Sequence, residues 1–286
     1  MTRDPSEAAS QGQYASANGL RIYFEEHGTG HPLLLLHGGF GTHRDWDSQL
    51  PALAAHFRVI APDFRGHGRT DDPTGPISYE MMAQDNFALI EALGIQKPVI
   101  VGMSDGSYVA LQMSVMAPEL ATAYAFLGGW LWSATEESRR GMLRIQHEVM
   151  GIDGPLRAEL ADEDMRQMEQ YRPQIVAYLQ RNHGRDAWKT YLKNMWPAWT
   201  TPTEHGPDEL QRITPSTLVV VGDGDSFVPL KNAVDLYEHL PNAEMAVIPG
   251  MDPNYAKSER GDLLSQILMH FLLRQVETPT ICLTIP

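Results

Sequence analysis

The pentapeptide Gly102-Met103-Ser104-Asp105-Gly106 follows a short apolar run and leads into helical sequence from Ser107 to Leu111. A serine flanked by glycines at this spacing lets a chain turn tightly enough to lift a hydroxyl above a sheet at a helix N-terminus, poised to attack a carbonyl carbon. The strained serine backbone needs a strand before it and a helix after it, and that context gives the short pattern its weight. Upstream, the run Leu33 to Leu36 ends in His37-Gly38-Gly39-Phe40-Gly41, small residues whose N–H groups can converge with that of Asp105. Two such donors stabilise a developing oxyanion, each contributing about 3 kcal/mol. Gly39 and Asp105 are the expected donors, with Phe40 as the alternative to Gly39. His37, placed before the glycines, is expected to support the loop rather than act as a base. In Asp63-Phe64-Arg65-Gly66-His67-Gly68-Arg69 the Asp, Arg and His are expected to pin a loop.

The elements that must position these residues are visible as alternating patterns. Leu33–Leu36, Phe57–Ala61, Pro98–Val101, Ala123–Leu127, Leu218–Val221 and Met245–Ile248 are short uninterrupted apolar runs, as expected of strands buried on both faces of a parallel sheet. Between them Trp46–Ala55, Tyr79–Leu93, Ser107–Ala117, Lys231–Leu240 and Asp262–Leu273 carry apolar residues at spacings of three and four, the mark of packing helices. The rhythm breaks from about Leu131 to Leu210, where acidic helical sequence is mixed with Met and with Trp130, Trp132, Trp188, Trp196 and Trp199. An inserted helical lid is expected there. Each aromatic taken singly packs the lid onto the core, and together they suggest an apolar pocket wall. The division is therefore a core over 19–130 and 211–275, a lid over 131–210, and terminal extensions over 1–18 and 276–286.

Composition narrows the function. The chain has 286 residues, 43% hydrophobic and 20% charged, as in a folded globular protein. Thirty-six acidic against 22 basic side chains give a net charge of −14, which repels phosphate backbones and anionic lipid headgroups, so neither nucleic acid nor membrane is an expected partner. The single cysteine, Cys282, permits no internal disulfide and no cysteine-rich metal site. With no basic start or apolar run in Met1–Asn18, a cytoplasmic protein is expected, without metal or cofactor, acting on a small molecule. The Trp, Met and Tyr of the lid point to a neutral or apolar substrate of modest size. Oligomeric state is not legible.

From about Gly19 to Leu273 the order of these motifs resembles the α/β-hydrolase superfamily: the HGG loop, the D-x-R-G-H-G segment, the elbow, and the later strand-loop pairs. The resemblance implies an α/β fold with a mostly parallel central sheet flanked by helices and an inserted helical cap. The Ser-Asp-Gly form of the elbow is similar to small esterases and C–C or lactone hydrolases. In the family the triad acid follows the strand after the cap, and Gly222-Asp223-Gly224-Asp225-Ser226-Phe227-Val228-Pro229 matches its G-x-x-D-x-x-V-P pattern, registering Asp225 as the acid. Asp223 is the competing assignment, disfavoured because it breaks the spacing to Val228-Pro229.

After the last strand the family carries a histidine, and this chain reads Gly250-Met251-Asp252-Pro253-Asn254-Tyr255, with Pro253 in the histidine position. A pyrrolidine ring cannot accept the serine proton or return it to a leaving group. His147, His183 and His205 belong to the lid, and His239 and His270 to helices away from the elbow. Asp252, Tyr255 and Lys257 are the nearby titratable groups. The expectation is a serine hydrolase for an ester-like carbonyl with Ser104 and Asp225 in place, no histidine at 253, and low turnover. A working hydrolase whose histidine has been changed, a non-hydrolytic enzyme performing rearrangement, cyclisation or elimination, and a silent ligand-binding protein all fit the sequence.

Overall fold

The computed structural model describes residues 12–71, 75–129, 136–201, 205–253, 255 and 261–276. Eight strands form one sheet in the order β1-β2-β4-β3-β5-β6-β7-β8. They are β1 (Gln13–Ala17), β2 (Leu20–His27), β3 (His31–Leu36), β4 (Phe57–Pro62), β5 (Val99–Met103), β6 (Ala123–Leu127), β7 (Ser216–Gly222) and β8 (Ala243–Ile248). β1 and β2 are antiparallel and the other six run parallel. All six apolar runs are therefore strands of the parallel part.

Period-two alternation explains why they are apolar throughout. Leu34, Leu36, Ile100, Phe126, Val219 and Val221 face one apolar cluster. Leu33, Leu35, Val99, Val101, Leu127 and Val220 face the other. The runs in β3, β5, β6 and β7 are buried on both sides, so neither face can be polar, while β8 at the sheet edge is only partly buried, with Val247 exposed. The first cluster is covered by α2 (Tyr79–Ala92), α3 (Asp105–Met116) and α9 (Leu230–His239), the second by α1 (Leu50–Ala54) and α10 (Gly261–Val276). In α10 Leu264, Leu268, Phe271 and Leu272 are buried, so the stripe at spacings of three and four is the packed face.

The core starts earlier than the sequence reading placed it. Residues assigned to a terminal extension form β1, joined to β2 by a tight turn in which Asn18 and Gly19 have φ of 48° and 74°. Asn-Gly with both φ positive is the hairpin connection whose twist matches the strands it joins.

Between β6 and β7 run α4 (Glu136–Arg144), α5 (Asp162–Tyr171), α6 (Pro173–His183), α7 (Ala187–Thr200) and the short α8 (Pro207–Leu210). Met165, Met168, Trp188, Met195 and Trp196 are fully buried within this insertion and join the first core cluster. Two of its tryptophans thus hold the insertion together and only Trp199 reaches the candidate site; Trp130 and Trp132 lie outside the described residues. Among the described residues no helix is long and apolar enough to cross a membrane.

Candidate active site

Ser104 sits between β5 and α3 with φ 53° and ψ −118°, a left-handed conformation that costs a non-glycine residue about 1–3 kcal/mol. Its surroundings over-determine it. The Ser104 N–H donates to Leu127 O at 2.7 Å, and the Ser107 hydroxyl bridges Gly102 O at 2.7 Å and Leu127 at 2.8 Å. A Cβ at Gly102 would overlap Gly106 O, and one at Gly106 would overlap Leu36 O, so both flanking glycines are required by close backbone approach. The result is a half-buried serine at the N-terminus of a helix, in the stretch where the G-x-S-x-G spacing puts it.

The His37–Gly41 loop passes beside it: a Cβ on Gly38 would lie 3.5 Å from Ser104 Cβ. Among the described residues no hydrogen bond uses the N–H of Gly39 or Phe40, and that of Asp105 opens α3, where the first N–H groups have no intrahelical acceptor. His37 lies beneath, fully buried, with Nδ1 2.8 Å from Gly38 O and Nε2 accepting from Phe64 N–H at 3.1 Å. Arg65 forms a buried two-pronged pair with Asp85, both bonds at 2.5 Å. Asp63 accepts from the N–H groups of His43 and Arg69 and contacts His43 Nδ1 at 2.7 Å. These groups tie loops together, as their sequence setting suggested.

Sequence reasoning missed how firmly the inserted helices grip the Gly39–Phe40 segment. The Tyr191 hydroxyl donates to Gly39 O, which His67 Nε2 also approaches at 3.1 Å. Asn182 Nδ2 and His183 Nε2 each meet Phe40 O at 3.1 Å, and the Tyr178 hydroxyl reaches Asp45 Oδ1 at 3.2 Å. The ring of His183 stacks on Tyr191 with centroids 3.9 Å apart. The trace in the sequence was a set of Tyr, Asn and His on two successive helices, with no periodicity to betray backbone carbonyls as their partners.

The carboxyl of Asp105 was missed as well, only its N–H having been considered. It is buried against Gly39 and accepts from Tyr79 Oη at 2.9 Å and Trp199 Nε1 at 2.7 Å. Burial pushes its pKa up to about 6, an effect these two donors partly offset.

Asp225 lies in the loop after β7. Its Oδ1 accepts from the N–H groups of Phe227 and Val228 at 2.8 and 2.9 Å, and its Oδ2 accepts from the Tyr255 hydroxyl at 2.8 Å. Burial raises its pKa, against the pull of those three donors. Asp223 is exposed and turns the other way, accepting from Gly250 N–H at 2.5 Å, so it pins the loop after β8. Pro253 is half-buried in that loop, and among the described residues no histidine bonds to Asp225. Lys257 lies outside the described residues, and these contain no group of His, Cys, Asp or Glu arranged to hold a metal ion.

A family described as the alpha/beta hydrolase fold matches residues 31–252. The chain belongs to that family. It is 25% identical over 280 residues to 2-hydroxy-6-oxo-6-(2'-aminophenyl)hexa-2,4-dienoic acid hydrolase of Metapseudomonas resinovorans, covering 96% of this chain and 95% of that one. It is 27% identical over 274 residues to a non-heme haloperoxidase of Rhodococcus erythropolis, covering 88% and 97%. A thermophilic esterase from Thermogutta terrifontis superposes with a TM-score of 0.73 at 23% identity, covering 94% of this chain and all of that one. The chain thus shares its fold with an esterase and, at 25–27% identity, its sequence with a dienoic acid hydrolase and a haloperoxidase.

Buried histidines make the stability of the fold depend on pH. Burial holds His37 at about 3, His67 at about 4 and His183 at about 3, and lowers His205. Unfolded, each titrates near 6.5, so below that pH the unfolded chain binds more protons and the folded state loses roughly 1.4 kcal/mol per histidine per pH unit until the folded values are reached. Asp105 and Asp225, raised in the fold, act oppositely and offset part of the loss. Urea unfolding at pH 7.5 and pH 5 should show the lower stability at pH 5. Equal or greater stability at pH 5 would contradict neutral burial of these rings.

Proposed function

We propose that this α/β hydrolase binds a small carbonyl substrate of ester type and attacks it through Ser104, with the N–H groups of Gly39 and Asp105 receiving the oxyanion and Phe40 as the alternative donor. The observation that carries the reading is the left-handed Ser104 at the head of α3, a strain that persists in folds where the turn has a use. Asp225 stands at the position of a triad acid and Pro253 at that of the base, so proton transfer from Ser104 lacks an imidazole and hydrolysis is slow. Attack by the hydroxyl forms an acyl enzyme and expels the alcohol; water then releases the acid and regenerates Ser104. A cytoplasmic setting and a small-molecule partner rather than nucleic acid or membrane fit the single cysteine and the charge of −14.

A second reading, non-hydrolytic chemistry on a bound carbonyl, is favoured by one specific observation: a buried carboxyl with a pKa of about 6, Asp105, beside the candidate serine. Intact-mass measurement after treatment with a fluorophosphonate separates the readings. One adduct that disappears in Ser104→Ala supports the serine nucleophile. No adduct after prolonged exposure, or one that survives Ser104→Ala, rejects it.

A further inference from the structure

Tyr255 lies two residues beyond Pro253 and plays no part in the chemistry above, yet it is almost wholly buried in the second core cluster, at 1% exposure. Its hydroxyl accepts from Gly222 N–H at 3.0 Å and donates to Asp225 Oδ2 at 2.8 Å. A Cβ on Gly128 would lie 2.6 Å from its ring, so the phenol fits tightly against the end of β6. Through these contacts it joins the ends of β6 and β7 to the loop after β8. With Oδ1 already held by Phe227 and Val228, both oxygens of Asp225 are engaged.

A triad acid works by accepting from the imidazole Nδ1–H, which fixes the tautomer and orientation of the base. Resting on the reading of Ser104 as nucleophile, we infer that Tyr255 has taken the place at Asp225 that a triad imidazole requires, so that Asp225 fastens the β7 and β8 loops instead of orienting a base. Tyr255 suits that task. Burial and the neighbouring carboxylate raise its pKa, so it stays a neutral donor. An imidazole arriving at position 253 would have to share Oδ2 or displace the phenol, leaving the Gly222 N–H and a buried hydroxyl without partners. The loss of the base is therefore a change at two positions. Pro253 removes the imidazole, and Tyr255 occupies its anchor.

The test compares Pro253→His with Pro253→His/Tyr255→Phe on p-nitrophenyl butyrate, the phenylalanine deleting only the hydroxyl. The double variant should exceed the single in kcat by about tenfold or more with KM unchanged, since freeing the anchor improves the base and not substrate binding. Equal kcat in the two variants, or a lower one in the double, overturns the inference. Thermal melting of Tyr255→Phe, Asp225→Asn and their combination in the parent chain tests the fastening separately. The combined variant should melt no lower than the worse single, and fully additive losses overturn it. Adding Ser104→Ala to the rescued variant distinguishes the two readings: a gain that survives it counts against Ser104 as nucleophile, whereas equal rates in variants that still form the fluorophosphonate adduct count against the role of Tyr255 alone.

Discussion

Pro253→His should raise ester hydrolysis by about three orders of magnitude, part of the ~10⁶ that loss of a serine or its histidine costs in a well-studied protease. The groups that the proposal joins to an imidazole at position 253 are each present: a strained Ser104 at the head of α3, a glycine loop alongside it, and a carboxylate in the loop after β7. Two features keep the gain below the full factor. Proline fixes φ near −65°, and a loop adapted to it presents a new side chain imperfectly. Tyr255 already holds Asp225 Oδ2, so the imidazole is oriented by a shared acceptor. The measurement is kcat/KM on model esters for the parent, Pro253→His, and Pro253→His/Ser104→Ala. A folded Pro253→His variant no faster than the parent would defeat the account, as would a gain that persists without Ser104.

How far these residues could be foreseen depended on whether their partners were local in sequence. The apolar runs announced strands because burial on two faces leaves no room for polar residues at either parity, and Leu33–Leu36 is the plainest case. The elbow was legible because its glycines, its serine and the following helix are contiguous. β1 was overlooked because an edge strand with Gln13, Tyr14 and Ser16 partly or fully exposed shows little apolar pattern, although Asn18-Gly19 carried the hairpin signal. Tyr191, Asn182 and His183 could not be assigned from sequence. Their acceptors are the carbonyls of Gly39 and Phe40, more than 140 residues away, and a carbonyl has no residue type to recognise. Tyr255 was noticed only for its proximity to Pro253. That its hydroxyl meets Asp225 depends on where β7 and β8 end side by side, which spacing along the chain does not encode.

Gly39→Ala should slow fluorophosphonate labelling of Ser104 by about 10² to 10³, the loss that follows removal of one oxyanion donor. Gly39 does not have a left-handed φ, so its backbone accepts alanine and the effect is steric. The new Cβ would overlap Asp105 Oδ2 and lie 3.1 Å from Trp199 Cζ2. Asp105 cannot simply retreat, because Tyr79 and Trp199 each hold one of its oxygens, and withdrawing a buried carboxylate from either donor is costly. The loop yields more readily, although Tyr191, Asn182 and His183 tether the carbonyls of Gly39 and Phe40. A loop tethered at its carbonyls and pushed at its Cα rotates its peptide planes, and that rotation moves the Gly39 N–H proposed to receive the oxyanion. Because the clash is with one side chain, Asp105→Ala added to Gly39→Ala should recover much of the lost rate, a coupling that separates overlap from general damage to the loop. Labelling of Gly39→Ala within about threefold of the parent would remove Gly39 from the oxyanion site, given the size expected for such a donor. A loss that the second substitution deepens additively would place the cause elsewhere than the Asp105 carboxylate.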